Sequence, residues 1–337
     1  MIKVNFKDIQ QAEKRLSPLI AKTSLSQSDH LSKKLSCHVF LKWEIEQKIK
    51  SFKIRGALNK IFSLTEEEKA RGLIAASAGN HAQGVALAGQ LLNIKARVVM
   101  METASKVKVS ATKDLGAEVI LKGKNYDESY SYAQSIKGDS IFIHPFADSE
   151  VIAGQGTVGL EIVKDLAQVD SVIVSVGGGG LLLGIALAVK TLKPSAKVYG
   201  VVWEGTADFC RSFNNITAKE KCLCQKDIPL QHSKSGLTDG IAVKKSFPEM
   251  VQNSSQYVDG VFCVSEGEIS QCIMELKKIE KKQAEGSGVA GLAGLLKYHK
   301  QWDIGRNCCV VISGANIDEE VLSQLRQKYL GDYTYRV

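Results

Sequence analysis

Val172-Ile173-Val174-Ser175-Val176-Gly177-Gly178-Gly179-Gly180-Leu181-Leu182-Leu183 is the most informative segment of this chain. A β-branched run meets four glycines and then a leucine run, which reads as strand, loop and helix. The glycines let backbone N–H groups converge at the start of the helix, where the macrodipole also attracts an anion. This predicts a phosphate cradle, with tight strand-to-helix packing around no ligand as the plainer alternative. It is not the dinucleotide fingerprint, because the G-x-G-x-x-G spacing is absent, nor the ATPase loop, because no Gly-Lys-Ser/Thr follows. Ser171 to Val189 carries no charge and approaches the length of a membrane span, but the glycines cut it in two. No transmembrane segment is expected.

On either side the same rhythm continues. Val39–Trp43, Leu73–Ala76, Ala96–Met100, Glu118–Leu121 and Ser140–Ile143 read as strands before the tetraglycine. Val198–Val202, Gly260–Val264 and Cys308–Ile312 read as strands after it. Helices are expected at Ser51–Leu64, Glu66–Arg71, Asn80–Leu92, Lys106–Leu115 and Tyr126–Ile136. Alternation at this spacing predicts βαβ units, and so an α/β fold of mainly parallel, twisted sheets flanked by helices. With five prolines in the chain no rigid linker is visible. The expected division is a small α/β domain over 48–143, inserted into a large domain of 1–47 and 144–337.

The chain has 337 residues, 44% of them apolar and 24% charged, which excludes wholesale disorder. The 44 basic residues outnumber the 36 acidic ones, for a formal charge of +8, but they are scattered. Without a basic strip interleaved with aromatics, a nucleic-acid partner is not expected. The N-terminus alternates charged and apolar residues and shows no signal-type block, so a cytoplasmic protein with reduced thiols is expected. Of the eight cysteines, Cys222-x-Cys224 hints at zinc, but no second pair stands at finger spacing.

Three more turns carry chemistry-bearing residues. Ser77-Ala78-Gly79-Asn80-His81-Ala82-Gln83-Gly84 places small residues, an amide and an imidazole where a helix should begin, so its free N–H groups could hold a carboxylate. An ordinary asparagine cap with a satisfied histidine would look the same. Ser51-Phe52-Lys53-Ile54-Arg55-Gly56-Ala57 puts Lys53 close in sequence to Lys48, Lys50 and Arg55. Nearby cations and partial burial lower a lysine pKa, as an imine-forming amine needs, although a solvated basic face would read alike. Ser313-Gly314-Ala315-Asn316 sets a hydroxyl at a strand's carboxyl end, where open α/β sheets bind ligands.

Taken together and in this order, these segments resemble the fold type II (tryptophan synthase β-like) pyridoxal-phosphate enzymes, in their threonine dehydratase and serine racemase branch. The resemblance runs from about Phe6 to about Leu325. It also takes in Lys42-Trp43-Glu44, Val151-Ile152-Ala153-Gly154-Gln155-Gly156-Thr157, Asp239-Gly240 and Glu285-Gly286. The short catabolic threonine dehydratases look most alike.

The resemblance implies that Lys53 carries pyridoxal 5'-phosphate and acts as general base. It implies that Phe52 packs on the ring, that Asn80 bonds its hydroxyl and that Ser313 faces its nitrogen. Gly177, Gly178, Gly179, Gly180 and the Leu181 amide would hold the phosphate. Ser77, Ala78, Gly79, Asn80 and His81 would bind the substrate carboxylate, with Ser77 and His81 also counted as catalytic. A serine cannot keep the ring nitrogen protonated as an aspartate can, which suits prompt loss of a β-substituent. The implied reaction is β-elimination from L-threonine or L-serine, giving 2-oxobutanoate or pyruvate plus ammonia, in a homodimer or homotetramer.

Alternatives remain within and beyond the branch. Racemases carry a proton-donating serine where Ala78 stands here, so alanine favours dehydration. Cysteine synthases would not carry His81. A hydroxyaspartate dehydratase, a weakened amino-acid-binding homologue and a nucleotide-binding protein using the tetraglycine alone stay on the slate. Metal-dependent relatives hold a divalent cation after the Val198 strand. Here Val202 replaces one ligand, leaving Asp208 as the candidate, with Glu204 and Thr206.

Overall fold

In a computed structural model, residues 2–217 and 236–331 are described. Ten strands form in that span. They are β1 (Leu25–Gln27), β2 (His38–Trp43), β3 (Leu73–Ala76), β4 (Ala96–Met100), β5 (Glu118–Leu121), β6 (Ile141–Phe142), β7 (Ser171–Ser175), β8 (Lys197–Trp203), β9 (Gly260–Val264) and β10 (Asn307–Ile312). They build a six-stranded sheet in the order β1-β2-β10-β7-β8-β9 and a four-stranded sheet in the order β5-β4-β3-β6. Every pairing is parallel except that of β1 with β2. Helices cover both faces of such sheets, which is why β3, β7 and β9 are buried at every residue and carry apolar side chains on both faces.

The four-stranded sheet draws all its strands from between Leu73 and Phe142, and the six-stranded sheet draws none from there. Two details depart from the expected elements. The strand at Ser140–Ile143 shortens to Ile141–Phe142, and β1 had no sequence signal, being three residues long and partly polar.

Three helices bring the two sheets together. Lys53–Phe62 crosses Ser149–Asp165, and Ser149–Asp165 crosses Gly180–Leu192. Both crossings need glycine. A Cβ on Gly154 would lie 2.5 Å from the Arg55 carbonyl, and one on Gly184 would lie 2.5 Å from the Ile152 carbonyl. Backbone therefore packs on backbone, and the helix that begins at Lys53 has little freedom to slide. Ile152, Val158 and Ile162 of the central helix are fully buried. Each contributes about 1.5–3 kcal/mol through its burial.

The same region holds a buried charge cluster. Arg55 donates from Nε and Nη2 to Glu44 at 2.8 Å each, and from Nη1 and Nη2 to Glu161 at 2.7 and 3.0 Å. Lys42 Nζ lies 2.6 Å from Glu161 and also donates to the Thr23 carbonyl. Two cations thus meet two carboxylates, and the low dielectric strengthens each contact.

Among the described residues no helix is long and apolar enough to cross a membrane. Cys272, Cys308 and Cys309 are free and buried, and burial pushes their thiols up, that of Cys308 to about 12. Cys210 and Cys263 are also buried. Cys222 and Cys224 lie outside the described residues.

Candidate active site

The carboxyl ends of β2, β3, β7 and β10 supply the site. Beyond β2 the chain reaches Ser51, which bridges to Gly314 after β10. Phe52 N–H donates to the Ser313 carbonyl at 3.1 Å, and Ala315 N–H donates to the Lys50 carbonyl at 2.9 Å. These bonds tie the Ser51–Lys53 turn to the Ser313–Ala315 turn, so Lys53 begins its helix from a fixed point.

Lys53 Nζ donates to the Pro145 carbonyl at 2.9 Å. Burial pulls its pKa down to about 8, against the opposing charge of Glu285. The sequence reading credited nearby cations as well as burial. That part is corrected: Lys48 and Lys50 are exposed, and Arg55 is turned into its own carboxylates.

The tetraglycine follows β7 and starts the helix Gly180–Leu192. Gly179 caps it at φ 89°, and no side chain caps its N–H groups, so they are left for an anion. A Cβ on Gly178 would lie 2.3 Å from the Phe146 ring, so a side chain at this position would displace that ring. Phe146 had no sequence signal. Its ring meets His144 edge-on at 4.7 Å and Phe247 at 5.2 Å.

After β3, the helix Asn80–Leu91 starts at Gly79, again without a side-chain cap, while Ser77 Oγ accepts from Gly79 N–H at 3.2 Å. Ser77, Ala78, Gly79 and Asn80 are all partly exposed. Asn80 Nδ2 donates to Glu285 Oε1 at 2.6 Å, and Asn80 Oδ1 accepts from Asn316 Nδ2 at 2.6 Å. One Asn80 amide hydrogen remains for another acceptor. Burial pushes the Glu285 carboxyl up to about 7, while its bonds from Asn80 and Ser287 hold it down. Glu285 was visible in sequence only as part of a motif, with no role.

His81 is turned away from this opening. Its Nε2 donates to the Ile143 carbonyl at 2.9 Å, because a carbonyl can only accept. Burial, then the Lys53 charge, lower its pKa to about 3, so it is neutral. His144 is also neutral, its pKa lowered to about 4 by burial and then by Lys53. Its Nδ1 accepts from Phe146 N–H at 3.2 Å and Ala147 N–H at 2.8 Å. Residues 143–147 therefore receive His81 and Lys53 on carbonyls and set Phe146 against the glycines. No motif pointed to this segment.

The candidate cation residues are not brought together. Asp208 accepts from Ser246 N–H at 2.7 Å and Ser246 Oγ at 2.6 Å, and Thr206 Oγ1 donates to the Ile241 carbonyl at 3.3 Å. Glu204 is half-buried, and burial raises its pKa. No cluster of three or more His, Cys, Asp or Glu able to hold a metal occurs among the described residues.

Residues 16–314 match the protein family described as "Pyridoxal-phosphate dependent enzyme". The chain is 42% identical over 330 residues to L-threonine ammonia-lyase of Thermotoga maritima, covering 97% of this chain and 79% of that protein. Its fold superposes on the processed form of threonine deaminase isoform 2 from Solanum lycopersicum with a TM-score of 0.85 and 32% identity, over 96% of this chain and 90% of that one. Maize serine racemase superposes with a TM-score of 0.87 and 29% identity, over 98% and 99% of the two chains.

Proposed function

This chain belongs to the family of pyridoxal-phosphate-dependent enzymes, and on that premise we propose that it is an L-threonine/L-serine ammonia-lyase. The observation that carries the reading is the pairing of a buried amine with an uncapped glycine helix start. Lys53 has a pKa pulled down to about 8, and Gly177–Gly180 present backbone N–H groups where a Cβ on Gly178 would strike Phe146. An aldehyde-bearing phosphate ester needs these two features together, so the residues fit the cofactor.

Gly177, Gly178, Gly179, Gly180 and the Leu181 amide would hold the phosphate. Phe52 would lie against the ring, Asn80 would donate its remaining hydrogen to the ring hydroxyl, and Ser313 would face the ring nitrogen. When bound, pyridoxal phosphate supplies an electrophilic carbon for an amine and a sink for the electron pair left by a departing α-proton.

The chain's own residues do the rest. The N–H groups of the Asn80–Leu91 helix hold the substrate carboxylate near Ser77, Ala78, Gly79 and His81. The Lys53 amine accepts the α-proton at Nζ. With a pKa of about 8, roughly a tenth of such amines are unprotonated at pH 7, against less than a thousandth at the ordinary lysine value. His81, neutral and held by Ile143, serves to position this helix start. Ala78 has no proton to give to an opposite face, which favours loss of the β-hydroxyl over racemisation.

The same reading places the enzyme in the cytoplasm as a homodimer or homotetramer, with 48–143 as a small unit that moves on the rest. The division into two units is supported by the separate four-stranded sheet, whose strands all fall between Leu73 and Phe142. The decisive experiment loads the protein with pyridoxal phosphate and assays ketoacid from L-threonine, L-serine and D-serine. Formation of 2-oxobutanoate and pyruvate is expected. Interconversion of L- and D-serine without ketoacid would overturn the assignment.

A further inference from the structure

A cavity beside the start of the Asn80–Leu91 helix is lined by Gly79, Asn80, Lys108, Asp239, Glu285 and Asp318, among others. The cavity borders that helix start, where the carboxylate of the proposed substrate would rest. Lys108 is the one cation among the described residues lining it. That cation is already engaged. Its Nζ lies 3.3 Å from Asp318 Oδ2 and 3.8 Å from Asp239 Oδ2, and Ser105 Oγ donates to Asp318 Oδ1 at 3.5 Å.

We propose that Lys108, held between Asp239 and Asp318, sets substrate choice: the cavity accepts uncharged β-hydroxy amino acids and rejects those with a second carboxylate. The proposal deepens the dehydratase reading and rests on it.

The charge count supports exclusion. One lysine faces the carboxyls of Asp239 and Asp318, so a second carboxylate on the substrate would enter a wall that already holds more acidic than basic groups. Asp239 shows the crowding. Burial and its neighbours Asp318 and Glu266 raise its pKa, with Lys108 opposing. An incoming anion would have to displace one aspartate from Lys108, leaving that aspartate unpaired and facing the incoming carboxylate. Serine and threonine make no such demand. Their hydroxyl needs only a polar neighbour, which Ser287 and Asn80 can provide, and Ile317 and Val321 offer apolar surface to the threonine methyl.

The test compares kcat/KM of the holoenzyme for L-serine, L-threonine and L-threo-3-hydroxyaspartate in the wild type and in an Asp239→Asn/Asp318→Asn double variant. Serine turnover in each protein serves as the control for folding. The wild type is expected to prefer serine over hydroxyaspartate by roughly 100-fold or more. The double variant should shrink that ratio about tenfold, through a lower KM for hydroxyaspartate, and Lys108→Gln added to it should remove the gain. Calorimetry with L-aspartate as a dicarboxylate probe should show Kd falling about tenfold in the double variant. Two outcomes overturn the proposal: hydroxyaspartate turned over by the wild type within about tenfold of serine, or an unchanged ratio in a double variant that still dehydrates serine. Absence of ketoacid from serine and threonine alike is a separate result, and it would remove the dehydratase reading together with this proposal.

Discussion

The ε-amine of Lys53 rests on the carbonyl of Pro145 at 2.9 Å, so a residue 92 positions along the chain holds the amine that the proposed reaction would use. Substituting Lys53→Ala removes the amine that would both carry the cofactor and accept the α-proton. The expected result is loss of the near-visible absorbance band and a fall in ketoacid production of roughly 1,000-fold or more. Lys53→Arg should not rescue it, because a guanidinium stays protonated. A spectrum and a coupled ketoacid assay check both.

Arg55 stands two residues further on and has almost no exposed surface. Removing it by Arg55→Met leaves Glu44 and Glu161 buried beside Lys42 alone, so the loss of stability should be about 3–5 kcal/mol. Arg55→Lys should recover little, since one ammonium cannot reach both carboxylates with paired bonds. Urea denaturation measures the difference.

Gly178→Ala introduces a carbon that would sit 2.3 Å from the Phe146 ring. The ring or the loop must move, and the N–H groups of the glycine turn move with it. Affinity for pyridoxal phosphate should fall roughly tenfold or more, with a lower Tm. Adding Phe146→Ala relieves the collision and should restore part of the Tm. Equilibrium dialysis and thermal unfolding separate the two effects.

His81 and His144 are neutral in the folded protein, with pKa values lowered to about 3 and about 4 from the ordinary 6.5. The unfolded chain binds these protons near pH 6.5, and the folded chain does not until far lower. Stability from these groups is therefore fully present above pH 6.5 and is lost as pH falls toward 4 and 3. Glu285 runs oppositely. Its carboxyl is raised from 4.5 to about 7, so its contribution is fully present below pH 4.5 and is lost as pH rises through 7. Urea midpoints between pH 4 and 8 should show His81→Gln flattening the acid limb, and Glu285→Gln flattening the limb near neutrality.

Local patterns made much of the architecture legible. The β4, β5 and β9 boundaries match the expected ones, because β-branched runs ended by turns identify parallel strands without any knowledge of their partners. The tetraglycine was equally legible, since glycine at a strand-to-helix turn has few other physical reasons to accumulate. The cation candidates after β8 are less legible for the opposite reason. Asp208, Glu204 and Thr206 are close in sequence, but each side chain finds its own environment.

The sequence by itself determined the parallel α/β class, the glycine turn that starts one helix and the lysine that starts another, because each is written in neighbouring residues. Only the tertiary structure decided what surrounds them. Asn80 meets Glu285 across 205 residues, Arg55 meets Glu161 across 106, and Lys108 reaches Asp318 from another element. The burial that this packing creates pulls the Lys53 pKa down and pushes the Glu285 pKa up, while the Asn80 bond and the Lys108 charge hold Glu285 back. Periodicity and spacing describe a chain relative to itself, whereas dielectric and distance exist only after distant segments have packed together.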